Sequence, residues 1–144
     1  MSTRIQVVFD CADPDRLARF WAGALGYVVQ PPPEGYDSWE AFLAEMGVPE
    51  SQWGSRSAIV DPEGAGPRIF FQQVPETKTV KNRVHLDVNA SGAPGASEAE
   101  RRTRVAEAVG RLVEAGASVQ REFNEPGEHW VVMQDPEGNE FCVQ

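Results

Sequence analysis

Cysteine is scarce: Cys11 and Cys142 are the only two in 144 residues. No disulfide framework is available, and a reducing compartment would keep both as thiols. Long apolar runs are missing too, since nothing approaches the roughly 18 consecutive apolar residues of a membrane span. Positive charge is in short supply, with 13 Lys and Arg against 22 Asp and Glu and a net charge of -9. Such a chain is repelled by phosphate backbones and anionic lipid surfaces, which argues against nucleic-acid and membrane partners and leaves a small-molecule ligand or a second copy of itself. Met1 to Val8 lack the charged-then-apolar order of a secretory leader, so a cytoplasmic location is expected. No phosphate-cradling glycine loop and no dinucleotide fingerprint is present, because no glycines follow a strand at those spacings.

What remains is 41% hydrophobic and 24% charged, the length and composition of one globular domain. Ile5 to Cys11 is rich in branched and aromatic residues, as a half-buried strand should be. Asp13-Pro14 signals a helix start. Leu17, Phe20, Trp21, Ala24 and Leu25 then recur at helical spacing, with Gly26 as the stop. Extended patterns resume at Tyr27 to Val29, Ser55 to Val60 and Arg68 to Val74. The same order follows again: a strand over Arg83 to Asn89, a helix from about Ser97 to Glu114 stopped by Gly116, and strands at Val119 to Phe123, Trp130 to Gln134 and Glu140 to Val143.

The turn Asp-Pro-Glu-Gly occurs twice, at Asp61 and at Asp135, 74 residues apart. Matching turns, element order and offsets indicate a duplicated βαβββ plan. The first module covers about 4–75 and the second about 82–144, within a single domain over 1–144. Residues 34–54 stand outside the plan as an insertion. Its Trp39, Phe42, Leu43 and Met46 suit a short amphipathic helix, either a lid or a helix packed outside the sheet. Asn89 to Ala96 reads as a surface loop.

Period-two alternation divides each strand into two faces. Ile5, Val7 and Phe9, then Ile69 and Phe71, Val84, Leu86 and Val88, and Phe141 and Val143 suit the helix-covered side. The opposite face then carries Gln6, Val8 and Asp10; Arg68, Phe70 and Gln72; Arg83, His85 and Asp87; and Glu140 and Cys142. Of these, His85, Asp87 and Glu140 are the candidate catalytic residues. Gln6, Asp10, Arg68, Phe70, Gln72, Arg83 and Cys142 are the candidate ligand-binding residues. Histidine between carboxylates suits acid-base work, with His85 as acid or base, Arg83 holding an anionic group, and Asp10, Asp87 and Glu140 orienting them. The same residues could equally form a closed salt-bridge network, with Asp10 and Asp87 accepting from Arg83 and His85. Cys142, without a partner cysteine or evident base, fits packing better than nucleophilic attack. His129 falls at the rim, and Lys78, Lys81 and Arg83 form a basic cluster in a solvated loop.

Asp13-Pro14-Asp15-Arg16-Leu17-Ala18-Arg19-Phe20-Trp21 followed by Ala24-Leu25-Gly26-Tyr27 resembles the opening stretch of the vicinal oxygen chelate superfamily. That superfamily includes glyoxalase I, bleomycin-resistance proteins and extradiol dioxygenases. Asp135-Pro136-Glu137-Gly138-Asn139 is similar to its closing turn. Val74-Pro75-Glu76 with Lys78, Lys81-Asn82-Arg83 and His85-Leu86-Asp87 is similar to a glyoxalase-like branch common in actinobacteria. The resemblance implies an α+β fold of two βαβββ modules, a cupped eight-stranded mixed sheet around a cavity with helices outside, and a homodimer. Trp39, Trp53, Phe42, Leu43 and Met46 could supply apolar dimer surface. Metal-dependent relatives take four ligands from positions that fall here on Gln6, near Phe70, on Arg83 and on Cys142. Arginine and phenylalanine cannot ligate a cation, so no metal cofactor is expected. A two-residue slip would leave Gln6, His85 and Glu140 as an alternative set. The function implied is a glyoxalase-like protein binding or acting on a small polar metabolite, of lyase or isomerase type if catalytic. The alternatives are a non-catalytic sequestering protein of the bleomycin-resistance type, or a metal-dependent glyoxalase- or dioxygenase-like enzyme.

Overall fold

The computed structural model describes residues 1–144, which divide into two compact units, Met1–Thr77 and Lys78–Gln144. The first unit contains β1 (Val7–Cys11), α1 (Pro14–Leu25), β2 (Val28–Val29), α2 (Trp39–Glu45), a 3-10 turn at Glu50–Gln52, β3 (Arg56–Val60) and β4 (Ile69–Gln73). The second contains β5 (Asp87–Val88), α3 (Glu98–Glu114), β6 (Ser118–Glu125), β7 (Glu128–Gln134) and β8 (Glu140–Val143). The fold is α+β. Its eight strands form two mixed sheets of four, ordered β1-β4-β3-β2 and β5-β8-β7-β6. In each sheet the opening strand runs parallel to the closing one and the other pairs are antiparallel. Apart from the α2 insertion, the two units therefore share one βαβββ topology.

The repeated Asp-Pro-Glu-Gly turns occupy equivalent places, β3 to β4 and β7 to β8, and work the same way. Gly64 (φ 71°) and Gly138 (φ 83°) adopt the left-handed conformation that closes each turn. Their N–H groups donate to the Asp61 and Asp135 carbonyls at 3.0 and 2.9 Å. Each Asp side chain then gathers backbone donors: Asp61 from Glu63, Ala65 and Gly66, Asp135 from Glu137 and Asn139.

Helix boundaries follow from local chemistry. Asp13 caps α1 through its side chain, Pro14 fills the first turn where no N–H is needed, and Gly26 (φ 69°) ends the helix. Ser97 and Glu100 form a reciprocal capping box on α3. The apolar stripe of α1, with Leu17, Phe20 and Trp21 buried, packs on the sheet face carrying Ile59, Ile69 and Phe71, also buried. Phe9 lies between, its ring 5.2 Å from Trp21 and 5.4 Å from Phe71. In the second unit Val105, Ala108 and Leu112 of α3 cover a face whose core is Val131, Met133, Phe141 and Val143.

Two expectations need correction. The fifth strand is Asp87–Val88 rather than Arg83 to Asn89, and Val84, expected under the helix, is 81% exposed. As an edge strand β5 can pair only with β8, whose four residues give it a ladder beginning where the Cys142 N–H meets the Leu86 carbonyl. Residues 83–85 precede that ladder. Ile5 is likewise 71% exposed, because β1 starts at Val7. In the insertion, α2 forms but buries no residue. Both of its flanking tryptophans are hydrogen-bonded, Trp39 to the Gln30 carbonyl at 2.8 Å and Trp53 to that of Val48 at 2.9 Å.

Candidate functional site

The uncovered face of each sheet carries the polar residues. In the second unit, strand register sets Asp87 beside Cys142 and Cys142 beside Val132. His85, two residues upstream, reaches back along the same face, with Nε2 3.5 Å from Asp87 Oδ1. Its imidazole, the Asp87 carboxylate and the Cys142 sulfur bring their ligating atoms within 4.8 Å of one another. His85 and Asp87 are 43% and 46% exposed, so the ion pair itself contributes little to stability. Burial raises the pKa of Cys142, and the neighbouring Asp87 charge and its hydrogen bond raise it further, against a smaller opposing effect of Lys81. The thiol is therefore held protonated beside the Asp87 carboxylate.

An open cleft of about 800 Å³ runs past this group, lined by His85, Asp87, Cys142, Trp130, His129 and Arg102 among others. Its walls come from β5 and β8 through Asp87 and Cys142, from α3 through Arg102, and from the start of β7 through His129 and Trp130. His129, expected at the rim, is only 12% exposed, with Nε2 2.8 Å from Glu122 Oε1. This contact lowers the Glu122 pKa. The Nδ1 of His129 is buried without a hydrogen-bond partner. The register of β6 against β7 decides this placement, and local sequence carries no signal for it.

Glu140 shares the uncovered face but is committed elsewhere. Its carboxylate accepts from Lys78 Nζ at 3.1 and 3.0 Å and from the Asn82 backbone N–H at 2.9 Å. Burial alone would raise its pKa, yet Asn82 and Lys78 outweigh it and hold the carboxyl at about 2. Because the folded pKa lies below the ordinary value of 4.5, this stabilisation is complete above about pH 4.5 and is lost as the pH falls towards 2. The contribution is on the order of 1–3 kcal/mol. Glu140→Gln is expected to lower the urea midpoint at pH 7, with the difference from wild type shrinking steadily by pH 2.5. A difference that stays constant with pH would remove the claim.

The first unit brings the remaining candidates together. Arg68 donates from Nε to Gln30 Oε1 at 2.7 Å and from Nη1 to Gln6 Oε1 at 2.8 Å, with its guanidinium 5.4 Å from the Phe70 ring centre. Gln72 donates to Asp10 at 2.6 Å. Asp10 thus pairs with an amide and Asp87 with His85. Arg83 lies exposed outside any strand.

The glyoxalase-like domain family matches residues 6–144. The chain belongs to that family, and so to the vicinal oxygen chelate superfamily. Among curated proteins none matches. Similar solved structures include a glyoxalase/bleomycin resistance protein/dioxygenase family enzyme from Burkholderia phytofirmans PsJN, with TM-score 0.60, 16% identity, and 96% of this chain and 94% of that chain covered. A mutant of the fosfomycin resistance protein FosX from Listeria monocytogenes, complexed with Mn(II) and 1S,2S-dihydroxypropylphosphonic acid, gives TM-score 0.64 at 11% identity, covering 100% of this chain and 92% of that chain. A hypothetical protein from S. aureus gives 0.62 at 16%, covering 99% and 93%. At these identities the likeness is one of fold.

For a metal of the kind such relatives hold, the residues in family register do not fit: Gln6 already accepts from Arg68, Phe70 has no donor atom, and Arg83 is a cation. In the slipped set Glu140 is occupied by Lys78 and Asn82. The donors that do converge are His85, Asp87 and Cys142. They suit a divalent ion in type and number.

Proposed function

We propose that this glyoxalase-like protein binds a small polar metabolite beside the uncovered sheet face of its second unit and acts on it by acid-base chemistry at His85, as a lyase or isomerase, without a metal. The observation that carries this reading is the shared carboxylate of Asp87. It faces His85 Nε2 at 3.5 Å and lies beside the Cys142 thiol, its register partner, whose pKa burial and this charge raise. A carboxylate on Nε2 favours the Nε2–H tautomer and leaves Nδ1 to exchange a proton with a ligand. A protonated thiol is a poor nucleophile, which leaves His85 as the group that exchanges protons with a ligand. Arg83 and Lys81, both exposed, add positive potential to the segment that leads into β5. In this reading the protein works as a homodimer in the cytoplasm, with α2 and its tryptophans as the apolar partner surface; a monomer by sedimentation at micromolar concentration would remove the dimer.

A second reading is favoured by the convergence of three donors and by Mn(II) in the FosX complex. A divalent ion would then be held by His85, Asp87 and Cys142 and would supply Lewis-acid polarisation of a bound oxygen. Metal analysis of purified protein decides between them. Well below one equivalent of metal, with a melting temperature unmoved by a chelator, is the expected result. One tightly held ion that His85→Ala or Cys142→Ser releases would overturn the metal-free reading. A ligand that binds equally well to wild type and His85→Gln, with no turnover by either, would leave a sequestering protein instead.

A further inference from the structure

The first unit holds a half-buried cation that enters no ion pair. Arg68 is half-buried at the start of β4, on the face away from α1, in a chain with 22 acidic residues against 13 basic ones. Its two hydrogen-bond acceptors, Gln6 Oε1 and Gln30 Oε1, are both neutral amide oxygens, and it enters no ion pair. The contrast is with Arg19, Arg102 and Lys78, each of which meets a carboxylate at 3.0 Å. Asp10 is the only acid in the four strands of this unit. It stands opposite Gln72, four residues along β4 from Arg68, a distance of about 13 Å at strand rise. That exceeds the ~8 Å screening length at physiological salt.

The two glutamines fix the guanidinium plane while using only Nε and one hydrogen of Nη1. That leaves both hydrogens of Nη2 and one of Nη1 as donors, enough to meet a two-oxygen anion. Beside it the face turns apolar, with Phe70 under the guanidinium and Val8, its register partner, 48% exposed. We infer that Arg68 is an anion-recognition residue, taking a carboxylate or phosphate-type group of a small organic acid whose apolar body rests on Phe70 and Val8. Gln6 and Gln30 act as positioning residues that hold the guanidinium ready. This site stands independently of the His85 reading, since no residue is shared.

The test is an NMR titration of the wild-type protein with butyrate and, separately, inorganic phosphate, following the Arg68 Nε–H and the Phe70 backbone amide. Saturable shifts of both signals by at least one anion are expected, with at least tenfold weaker binding in Arg68→Lys, which keeps the charge but loses the guanidinium. Butyrate binding better than phosphate would identify a carboxylate ligand, and the reverse a phosphate-type ligand. The Arg111→Ala variant, which removes an exposed cation from the last turn of α3, should titrate as wild type does. Shifts confined to Lys78, Lys81 and Arg83, or no saturable shift at Arg68 and Phe70, would overturn the inference. The wild-type titration decides this even if Arg68→Lys folds poorly.

Discussion

Trp21→Ala is expected to destabilise the protein by about 3–5 kcal/mol, the range for deleting a large aromatic from a close-packed core. Trp21 is among the largest fully buried side chains. Its ring lies 5.2 Å from that of Phe9 and 5.5 Å from the edge-on ring of Phe20. Alanine would therefore open a void between α1 and the sheet that Phe9, Phe20 and Phe71 cannot fill without leaving their rotamers, because interiors relax only partly. Trp39→Ala is the control. That ring is half-exposed in a helix that buries nothing, and its removal forfeits one hydrogen bond and edge contacts, about 1 kcal/mol. Urea unfolding followed by far-UV circular dichroism reads both. A Trp21→Ala loss no larger than that of Trp39→Ala would mean that α1 does not seal the core of the first unit.

The same residue shows what the sequence makes legible. The spacing of Leu17, Phe20 and Trp21 places one helix face against a sheet, and Asp13-Pro14 with Gly26 brackets the helix to within a residue. Alternation assigns Ile69 and Phe71 to the covered side of β4, and Phe141 and Val143 to that of β8, as found. These are local properties of the backbone period. The site is less legible, because it depends on which strands meet. Alternation puts Glu140 and Cys142 on one face, but it is the parallel pairing of β5 with β8 that brings Cys142 to Asp87. It is the segment before β5 that delivers Lys78 and Asn82 to Glu140, about sixty residues away in sequence. The length of β5 is equally out of reach, since its ladder starts at Asp87 although β8 begins at Glu140, whose carboxylate takes the Asn82 N–H. Val84 has the composition of a strand residue and no ladder to join. Arg83, expected to hold an anionic group, likewise lies exposed outside any strand, while Arg68 is the guanidinium held by two side-chain hydrogen bonds.

Asp135→Ala is expected to cost about 2–4 kcal/mol, and considerably more than the equivalent change at Asp61, although the two turns are identical in sequence. Asp135 is 4% exposed, the one charged residue in the buried set. Its carboxylate accepts from the Glu137 N–H at 2.9 Å, the Asn139 N–H at 3.0 Å and the Asn139 side-chain amide at 3.1 and 2.8 Å. Alanine would leave those donors unmet where water has little access, and each buried orphan costs about 1–3 kcal/mol. Asp61 makes comparable bonds to Glu63, Ala65 and Gly66, and these lower its pKa, but its turn is more open and water can replace the lost acceptor. Asp135→Asn keeps one acceptor oxygen for the two backbone N–H groups and should recover part of the loss. Urea midpoints for the three variants measure the order. Equal losses at Asp61 and Asp135 would show that turn geometry alone sets the cost. A loss confined to Asp135 would show that burial does, so that the duplicated turn has become a folding determinant in the second unit while remaining a surface feature in the first.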